Sequence, residues 1–207
     1  NAFAADTPTP PDAAKKPYVV KAPPGAERQD EYYWLRDDKR ENPDMLGYLK
    51  AENAYADALL GPLKPVQDKL YEEIVARIKQ DDASVPFRER GWWYYSRFEA
   101  GKDYPIHARR KDMAGIDARS ILEANEAADF KGEEVLLDVN ALAAGKDYYA
   151  VGGRNVSQDN RLLAYGDDTN GRRQYTLRVK DLQTGETLPD AIPGTAGYAV
   201  WADDNKT

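Results

Sequence analysis

The chain has 207 residues, of which 42% are hydrophobic, and its 14 Tyr and 4 Trp are typical of a globular protein rather than a disordered one. Its net charge of -7 argues against nucleic acid or an anionic membrane as a partner, and no apolar run approaches the roughly 20 residues of a membrane-spanning helix. With no cysteine, one His and two Met, the sequence excludes disulfides and a cysteine nucleophile and predicts no metal or cofactor site.

We interpret residues 1–17 as a tag remnant followed by a Pro- and Ala-rich tail. Asn1 and Ala2 resemble the remnant of an expression tag, and residues 3–16 resemble the start of a mature chain from which a signal peptide has been removed. The segment has too little apolar surface to order itself, so we expect it to be extended or mobile. A removed signal peptide predicts a periplasmic or secreted protein, with the cytoplasm as the alternative location.

The most unusual stretch of the sequence is a group of aromatic residues closed on both sides by charge. It reads Asp30-Glu31-Tyr32-Tyr33-Trp34-Leu35-Arg36-Asp37-Asp38, and we call it the aromatic string. Tyr33, Trp34 and Leu35 are able to bury a large apolar area, worth about 1.5–3 kcal/mol for each fully buried side chain. Arg36 and Asp37 are expected to fix the exit of the string through charge-assisted hydrogen bonds.

Two amphipathic helices are predicted next, over residues 42–60 and 65–80. Asn42 is a good N-cap and Pro43 suits the first helical position, while the Gly-Pro pair at 61–62 ends the first helix. The second helix carries an apolar stripe at every fourth position, formed by Val66, Leu70, Ile74 and Ile78. Two such helices joined by about four residues form a hairpin whose stripes need a larger partner.

Beyond residue 82 the hydrophobic period changes from helical to alternating. Strands are predicted at 92–98, 104–111, 135–138, 148–156, 161–166 and 174–180, and residues 181–186 form a hairpin tip. Helices therefore come first and strands after, with no alternation of the two.

An internal repeat gives the strands an architecture. Residues 156–160, Val-Ser-Gln-Asp-Asn, recur in outline at 200–205, which places Asn160 and Asn205 45 residues apart. This spacing is typical of a four-stranded β-propeller blade. We predict a mainly β chain with an N-terminal helical hairpin and about two and a half propeller blades. The expected domains are the tail at 1–17, a helical extension at 18–82 and the first blades at 83–207, all forming part of a longer protein.

No catalytic, cofactor-binding or metal-ligating residue is predicted in the chain. None of the four serines, at positions 84, 96, 120 and 157, lies in the G-x-S-x-G context that exposes a hydrolase nucleophile. His107 shares a strand face with Arg109 and is predicted to lie on a sheet surface rather than to act as a general base. Gly152 and Gly153 lack the pattern that follows in a phosphate-binding loop.

Paired charges are predicted to serve turns. The carboxylate pairs at 81–82, 167–168 and 203–204 raise the alternatives of a glycosidase or a calcium site, but Asp is common at turns for backbone reasons. Arg172 and Arg173 are interpreted as a solvated loop pair, with contact to a catalytic domain or a substrate carboxylate as the alternative.

The aromatic string closely resembles the N-terminal signature of the prolyl oligopeptidase family of serine peptidases, in its oligopeptidase B branch. Arg172-Arg173-Gln174-Tyr175 resembles a motif of the same branch, and the similarity extends in order over roughly residues 18–205. The resemblance implies a helical extension, a seven-bladed propeller, and a C-terminal α/β-hydrolase domain with the catalytic Ser, Asp and His that is absent from this chain. It further implies a propeller that caps the active site and admits peptides but not folded proteins.

The same resemblance implies that the full-length enzyme cleaves short, basic peptides after Lys or Arg, with acidic pocket residues supplied by the catalytic domain. Two alternatives stay open, cleavage after Pro and a non-catalytic propeller that binds a protein or peptide. We also expect the isolated chain to self-associate, because cut blades leave an unpaired strand edge near residues 198–201.

Overall fold

The computed structural model describes residues 8–205, and the chain divides between Ile78 and Lys79 into two compact units. The predicted tag remnant, Asn1 and Ala2, lies outside the described residues, as do the next five residues of the predicted tail. The described part of the tail, residues 8–17, contains no helix or strand.

The first unit opens with a two-stranded antiparallel hairpin that the sequence analysis did not predict. Strands β1 (Val19–Ala22) and β2 (Ala26–Gln29) pair across a Pro-Pro-Gly turn. Gly25 adopts a φ of 102°, which an L-residue rarely adopts, so the turn depends on glycine at this position. The Pro-Pro-Gly sequence was therefore a usable turn signal.

The two predicted helices are present, and the first has the predicted cap. Helix α1 spans Pro43–Leu60, and the Asn42 side chain accepts hydrogen bonds from the backbone N–H groups of Asp44 and Met45. A 3-10 turn, Gly61–Leu63, leads directly into helix α2, Lys64–Val75.

Helix α2 is shorter than predicted, and its apolar stripe is exposed. It ends at Val75 instead of residue 80, because Arg77 and Ile78 donate to carbonyls three residues back, at Ile74 and Val75, and the helix tightens into turns. Val66, Leu70 and Ile74 are each exposed to at least 50%. The stripe is therefore largely uncovered within the first unit, and its sequence pattern indicated that it needs a larger partner.

The second unit contains two four-stranded antiparallel sheets in which the strands follow chain order. The first sheet comprises β3 (Phe87–Glu89), β4 (Trp92–Arg97), β5 (Ile106–Lys111) and β6 (Glu133–Asp138). The second comprises β7 (Ala150–Val156), β8 (Leu162–Asp168), β9 (Tyr175–Asp181) and β10 (Thr187–Thr195). The predicted pairing of the strands near 161–166 and 174–180 is confirmed, with Ala164 opposite Val179. Two consecutive four-stranded meanders correspond to two propeller blades.

The prediction that helices do not alternate with strands is wrong. Helix α3 (Ala118–Glu126) lies between β5 and β6, and the short helix α4 (Val139–Ala143) follows β6. Helix α3 begins with a capping box in which the Asp117 side chain accepts from the Ser120 amide and the Ser120 hydroxyl accepts from the Asp117 amide. Ile121 of α3 is fully buried against Tyr95 and Ala108, so the helix covers one face of the first sheet.

The main core lies between the facing sides of the two sheets. It contains Tyr94, Leu136 and Leu137 from the first sheet and Val156, Leu163 and Tyr165 from the second. Because each sheet supplies half of this core, neither sheet buries its apolar face without the other.

The 45-residue repeat corresponds to a repeated turn. Arg90, between β3 and β4, Asn160, between β7 and β8, and Asn205 all adopt a positive φ. The turns also contact one another in sequence, since the Asn160 side chain donates to the Arg90 carbonyl (3.3 Å) and the Asn205 side chain accepts from the Asp159 amide (2.9 Å). The repeat that indicated propeller blades therefore marks a recurring positive-φ turn, which in each of the two sheets is the tip of the first hairpin.

Candidate functional site

The face of the first sheet under α3 carries a buried ion pair. Arg97 donates to Glu133 through Nε (3.1 Å) and a terminal nitrogen (3.0 Å), and its guanidinium lies 3.9 Å from the Phe130 ring centroid. The Tyr95 hydroxyl also donates to Glu133, at 2.7 Å, and burial, with this hydrogen bond adding to it, raises the pKa of Tyr95. The side chains of Arg97 and Glu133 are 8% and 3% exposed. These groups satisfy one another and leave no acid or base free for a substrate.

Arg109 lies on the opposite face and joins the two sheets. Its guanidinium stacks over Trp92 at 4.0 Å and donates to the Glu134 carboxylate at 2.8 Å and to the Asn160 carbonyl at 3.0 Å. Since Asn160 belongs to the second sheet's first turn, Arg109 stabilises the contact between the blades.

His107 is buried, so the prediction that it lies on a sheet surface is wrong. It is 7% exposed because the second sheet covers this face of the first. Its Nδ1 lies 2.7 Å from the Ser96 hydroxyl, and burial, reinforced by the charge of Arg154, lowers the pKa of His107 to about 4. Among residues 8–205, no carboxylate hydrogen-bonds the other ring nitrogen, so this Ser-His pair lacks the third member of a catalytic triad.

The structure gives each serine a structural role. The Ser84 hydroxyl accepts from the Ser96 amide, Ser120 forms the α3 capping box, and the Ser157 hydroxyl accepts from the Leu162 amide. None of these hydroxyls stands on a strand-to-helix elbow, the position that exposes a hydrolase nucleophile.

The buried imidazole predicts a pH dependence of stability. Because the pKa of His107 is about 4 in the folded chain and 6.5 when unfolded, the unfolded state binds the proton first. This contribution to stability is therefore fully present above pH 6.5 and is lost as the pH falls toward 4. We expect the wild-type chain to lose about 2 kcal/mol more than His107→Gln between pH 7.5 and pH 5, as measured by urea unfolding. Since His107 is the only histidine, parallel curves for the two proteins would refute the assignment.

Most paired carboxylates occupy turns as predicted, with one exception. The pairs at 81–82 and 203–204 lie at turns, but Asp167 and Asp168 end strand β8 and are buried. Asp167 accepts from Arg178 at 2.9 Å and from the Tyr149 hydroxyl at 3.3 Å. Within the described residues, no group of three His, Asp or Glu side chains is arranged to hold a metal ion.

Asp168 organises the loop that presents Arg172 and Arg173. Its carboxylate accepts backbone N–H groups of Asn170, Gly171 and Arg173 at 2.8–3.1 Å, and these bonds, that of Asn170 foremost, lower the pKa of Asp168. Both arginines are exposed, as predicted for a solvated loop pair. Their side chains form no ion pair with any residue in the range 8–205.

The aromatic string holds the tail against the first unit. Its residues Tyr33, Trp34 and Leu35 are half-buried, although the sequence allowed full burial. Tyr33 stacks on Tyr18 with ring centroids 4.2 Å apart, and the Trp34 indole donates to the Ala14 carbonyl at 2.8 Å. Asp37 accepts backbone N–H groups of Asn42 and Glu41, which lowers its pKa and closes the exit of the string. The string therefore has a structural role in the first unit.

The Gly152-Gly153 pair allows a close approach between segments. A Cβ atom at Gly152 would lie 2.7 Å from the Gly197 carbonyl oxygen, so the chain after β10 lies directly against β7. Trp201 adds a hydrogen bond from its indole to the Asn155 carbonyl at 2.8 Å. This crossing explains the glycines without any phosphate-binding role.

One cavity between the sheets contains polar groups that the structure does not pair. It has a volume of about 120 Å³ and is lined by Ser84, Phe87, Tyr94, Ser96, His107 and Arg154, among others; we call it the Arg154 pocket. The sequence analysis did not single out Arg154. The available signal was its position in β7, where Val156, two residues on and on the same strand face, is a core residue.

Comparison with known proteins gives consistent results. A family profile described as "Prolyl oligopeptidase, N-terminal beta-propeller domain" matches residues 11–207. The chain is 73% identical over 199 residues to dipeptidyl aminopeptidase BI of Pseudoxanthomonas mexicana, covering 96% of this chain and 28% of that protein. It is 37% identical to Protease 2 of Moraxella lacunata, covering 84% of this chain and 24% of that protein. The chain therefore spans about a quarter of the length of these relatives.

Solved structures give the same fold. Oligopeptidase B from Leishmania major superimposes with a TM-score of 0.78 and 30% identity, over 93% of this chain and 27% of that protein. Oligopeptidase B from Trypanosoma brucei, solved in a closed form with covalently bound antipain, superimposes with a TM-score of 0.74 and 28% identity over the same shares.

Of the helices in the described part of the chain, none has the length and apolar character required to cross a membrane.

Proposed function

Since the chain belongs to the prolyl oligopeptidase family, as part of its N-terminal β-propeller domain, we propose that it restricts substrate size for a serine peptidase that hydrolyses short peptides. The observation that carries this proposal is the profile match over residues 11–207, which coincides with two consecutive four-stranded antiparallel blades. A propeller surrounds a central channel, and a channel of fixed width admits extended peptides more readily than folded proteins.

The side chains of the chain support a framework role rather than a chemical one. The buried Arg97 and Glu133 are paired with each other, the Asp168 carboxylate is held ionised by backbone N–H groups, and the described serines serve local structure. Catalysis is therefore assigned to an α/β-hydrolase domain outside this chain.

We further propose that the full-length enzyme prefers Lys or Arg before the scissile bond. The support is the oligopeptidase B likeness, at 30% identity over 93% of the chain, together with the aromatic string and the Arg172-Arg173-Gln174-Tyr175 loop. A buried carboxylate in the catalytic domain would discriminate a cationic side chain strongly through charge-assisted hydrogen bonds.

A second candidate function is release of dipeptides from free amino termini. It is favoured by the name of the 73% identical relative, dipeptidyl aminopeptidase BI. An enzyme of that kind must recognise the substrate's ammonium group, so blocking this group would abolish cleavage rather than slow it.

One set of peptides tests these proposals on the full-length enzyme. The four peptides have either a free or an acetylated amino terminus, and either Arg or Pro as the second residue, directly before the bond to be cleaved. The value of kcat/KM is measured for each of them. Cleavage of both Arg peptides supports the endopeptidase, whereas cleavage of the free-amine Arg peptide alone supports dipeptide release. A preference for Pro would contradict the basic specificity, and no hydrolysis of any peptide would favour a binding module.

The isolated 207-residue chain is expected to show no hydrolysis of these peptides and no labelling by serine-directed phosphonates, because none of its four serines lies in the G-x-S-x-G context of an activated nucleophile. Full-length enzyme at equal concentration is the positive control in both assays. Labelling of the isolated chain would contradict the assignment of catalysis to the missing domain.

Two other expectations remain proposals. We propose that the protein is exported, as the tail composition indicates, and that the isolated chain self-associates through exposed apolar residues such as Tyr198 and Val200, which are 71% and 84% exposed.

A further inference from the structure

Among the residues that line the Arg154 pocket, Arg154 carries the charge and none of the others is a carboxylate. Arg97, Arg109, Arg161 and Arg178 each pair with a carboxylate within 3.0 Å. The Arg154 side chain forms no hydrogen bond or ion pair with any residue in the range 8–205. Its side chain is exposed at the mouth of the pocket, and burial of the remainder lowers the pKa of the guanidinium.

The neighbouring groups are neutral hydrogen-bonding partners. His107 is uncharged at neutral pH, because burial and the nearby positive charge of Arg154 lower its pKa to about 4. Its Nδ1 is engaged by Ser96, which leaves Nε2 without a protein partner among the described residues. The Ser84 hydroxyl accepts from the Ser96 amide and retains its own proton for donation.

The pocket therefore combines one uncompensated guanidinium with neutral donors beside an aromatic wall. Phe87 and Tyr94 form that wall, with ring centroids 5.4 Å apart. A site of this kind attracts an anion, and a guanidinium matches the two oxygens of a carboxylate. A volume of about 120 Å³ is enough for a carboxylate with one or two waters, but not for a large group.

The position of the pocket makes it reachable by a peptide. Arg154 is on β7, and Phe87 is on β3, and each of these is the first strand and an edge strand of its sheet. Phe87 is 58% exposed, so the mouth opens to solvent at these edges.

We propose that the Arg154 pocket binds a carboxylate of the peptide substrate, either its C-terminal group or an acidic side chain, between the first two blades. The inference rests on the proposed peptidase function and adds a specificity-determining site that lies in the propeller.

The test uses the full-length enzyme with Arg154→Met, which keeps the aliphatic stem and removes the charge. Three matched peptides are compared: one with a free C-terminal carboxylate, the same peptide as a C-terminal amide, and the amide with one Gln replaced by Glu. We expect KM for the carboxylate peptides to rise about tenfold while kcat and the amide peptide are unchanged. Arg154→Lys should recover part of the loss.

Arg119→Met is the control, because Arg119 is 86% exposed on α3 and pairs only with Glu123. The peptide that responds to Arg154→Met identifies which carboxylate binds, the terminal group or the Glu side chain. Equal changes for the carboxylate and amide peptides, or no change for either, would overturn the inference. Binding of the same peptides is measured in parallel by calorimetry. If the peptides are not cleaved, the proposed peptidase function is wrong; if they bind with no dependence on the carboxylate, this site is wrong.

Discussion

Glu133→Ala is expected to lower the free energy of unfolding by about 3–5 kcal/mol, the range observed when one partner of a buried ion pair is removed. The substitution leaves Arg97 with a charge that is 8% exposed and compensated only by Glu99, and it removes the acceptor of the Tyr95 hydroxyl. Denaturant unfolding of the isolated chain, followed by circular dichroism, measures the loss.

Two variants separate the burial effect from charge alone. Glu99→Ala removes the other carboxylate on Arg97, but Glu99 is 44% exposed, so we expect a cost below about 1 kcal/mol. Arg97→Met combined with Glu133→Leu removes both buried charges and should recover most of the stability lost in Glu133→Ala. A cost for Glu133→Ala no larger than that for Glu99→Ala would show that the pair is not buried in solution.

The elements that the sequence predicted correctly are those with long, regular patterns. Helix α1 has a cap, a proline at its first position and a sustained apolar period, and strands β4 and β9 alternate over six and seven residues. Most of the elements that the sequence analysis did not name, the β1–β2 hairpin, strand β3 and helices α3 and α4, are short, whereas the nine-residue strand β10 follows the hairpin tip predicted at 181–186. Their local signals, Pro-Pro-Gly and the Asp117-Ser120 box, compete with alternative turns until tertiary packing selects them.

The position of charged residues was harder to predict because it depends on contacts between sheets. Alternation along β5 places His107 and Arg109 on one face, but it does not tell whether that face is covered. The second sheet covers this face and buries His107. It also places Arg154, which is 47 positions further along the chain, close to His107. The same applies to Asp167, whose partner Arg178 lies on the neighbouring strand. A single sequence carries no direct record of such non-local contacts.

Carboxylates with a local role leave a signal in the sequence, although the sequence analysis predicted turns only for the pairs at 81–82, 167–168 and 203–204 and did not identify Asp117. Asp37, Asp117 and Asp168 each accept backbone N–H groups within five positions, and the resulting bonds lower their pKa values. A pattern of Asp shortly before Gly, Asn or Ser favours such a turn or cap.

Gly166→Val is expected to destabilise the second unit by about 3 kcal/mol and to displace the chain that follows β10. A Cβ atom at Gly166 would lie 2.5 Å from both the Cα and the carbonyl oxygen of Gly197, and these are backbone atoms that cannot rotate away. Gly166 has no positive φ, so the expected loss comes from crowding and not from backbone strain. Once Gly197 is displaced, the hydrogen bond from Trp201 to the Asn155 carbonyl should break.

Fluorotryptophan labelling measures this displacement directly, because the chain has four Trp. In the ¹⁹F NMR spectrum of Gly166→Val, the Trp201 resonance should move toward its position in unfolded protein while those of Trp92 and Trp93 stay in place. Gly47→Ala is the matched control: it lies inside α1 with no atom within 4 Å of the added Cβ, and it should stabilise the chain by about 0.5–1 kcal/mol. An unchanged Trp201 resonance in Gly166→Val would mean that residues 196–201 do not pack on β7 and β8 in solution, and that the start of the third blade needs the rest of the propeller to dock.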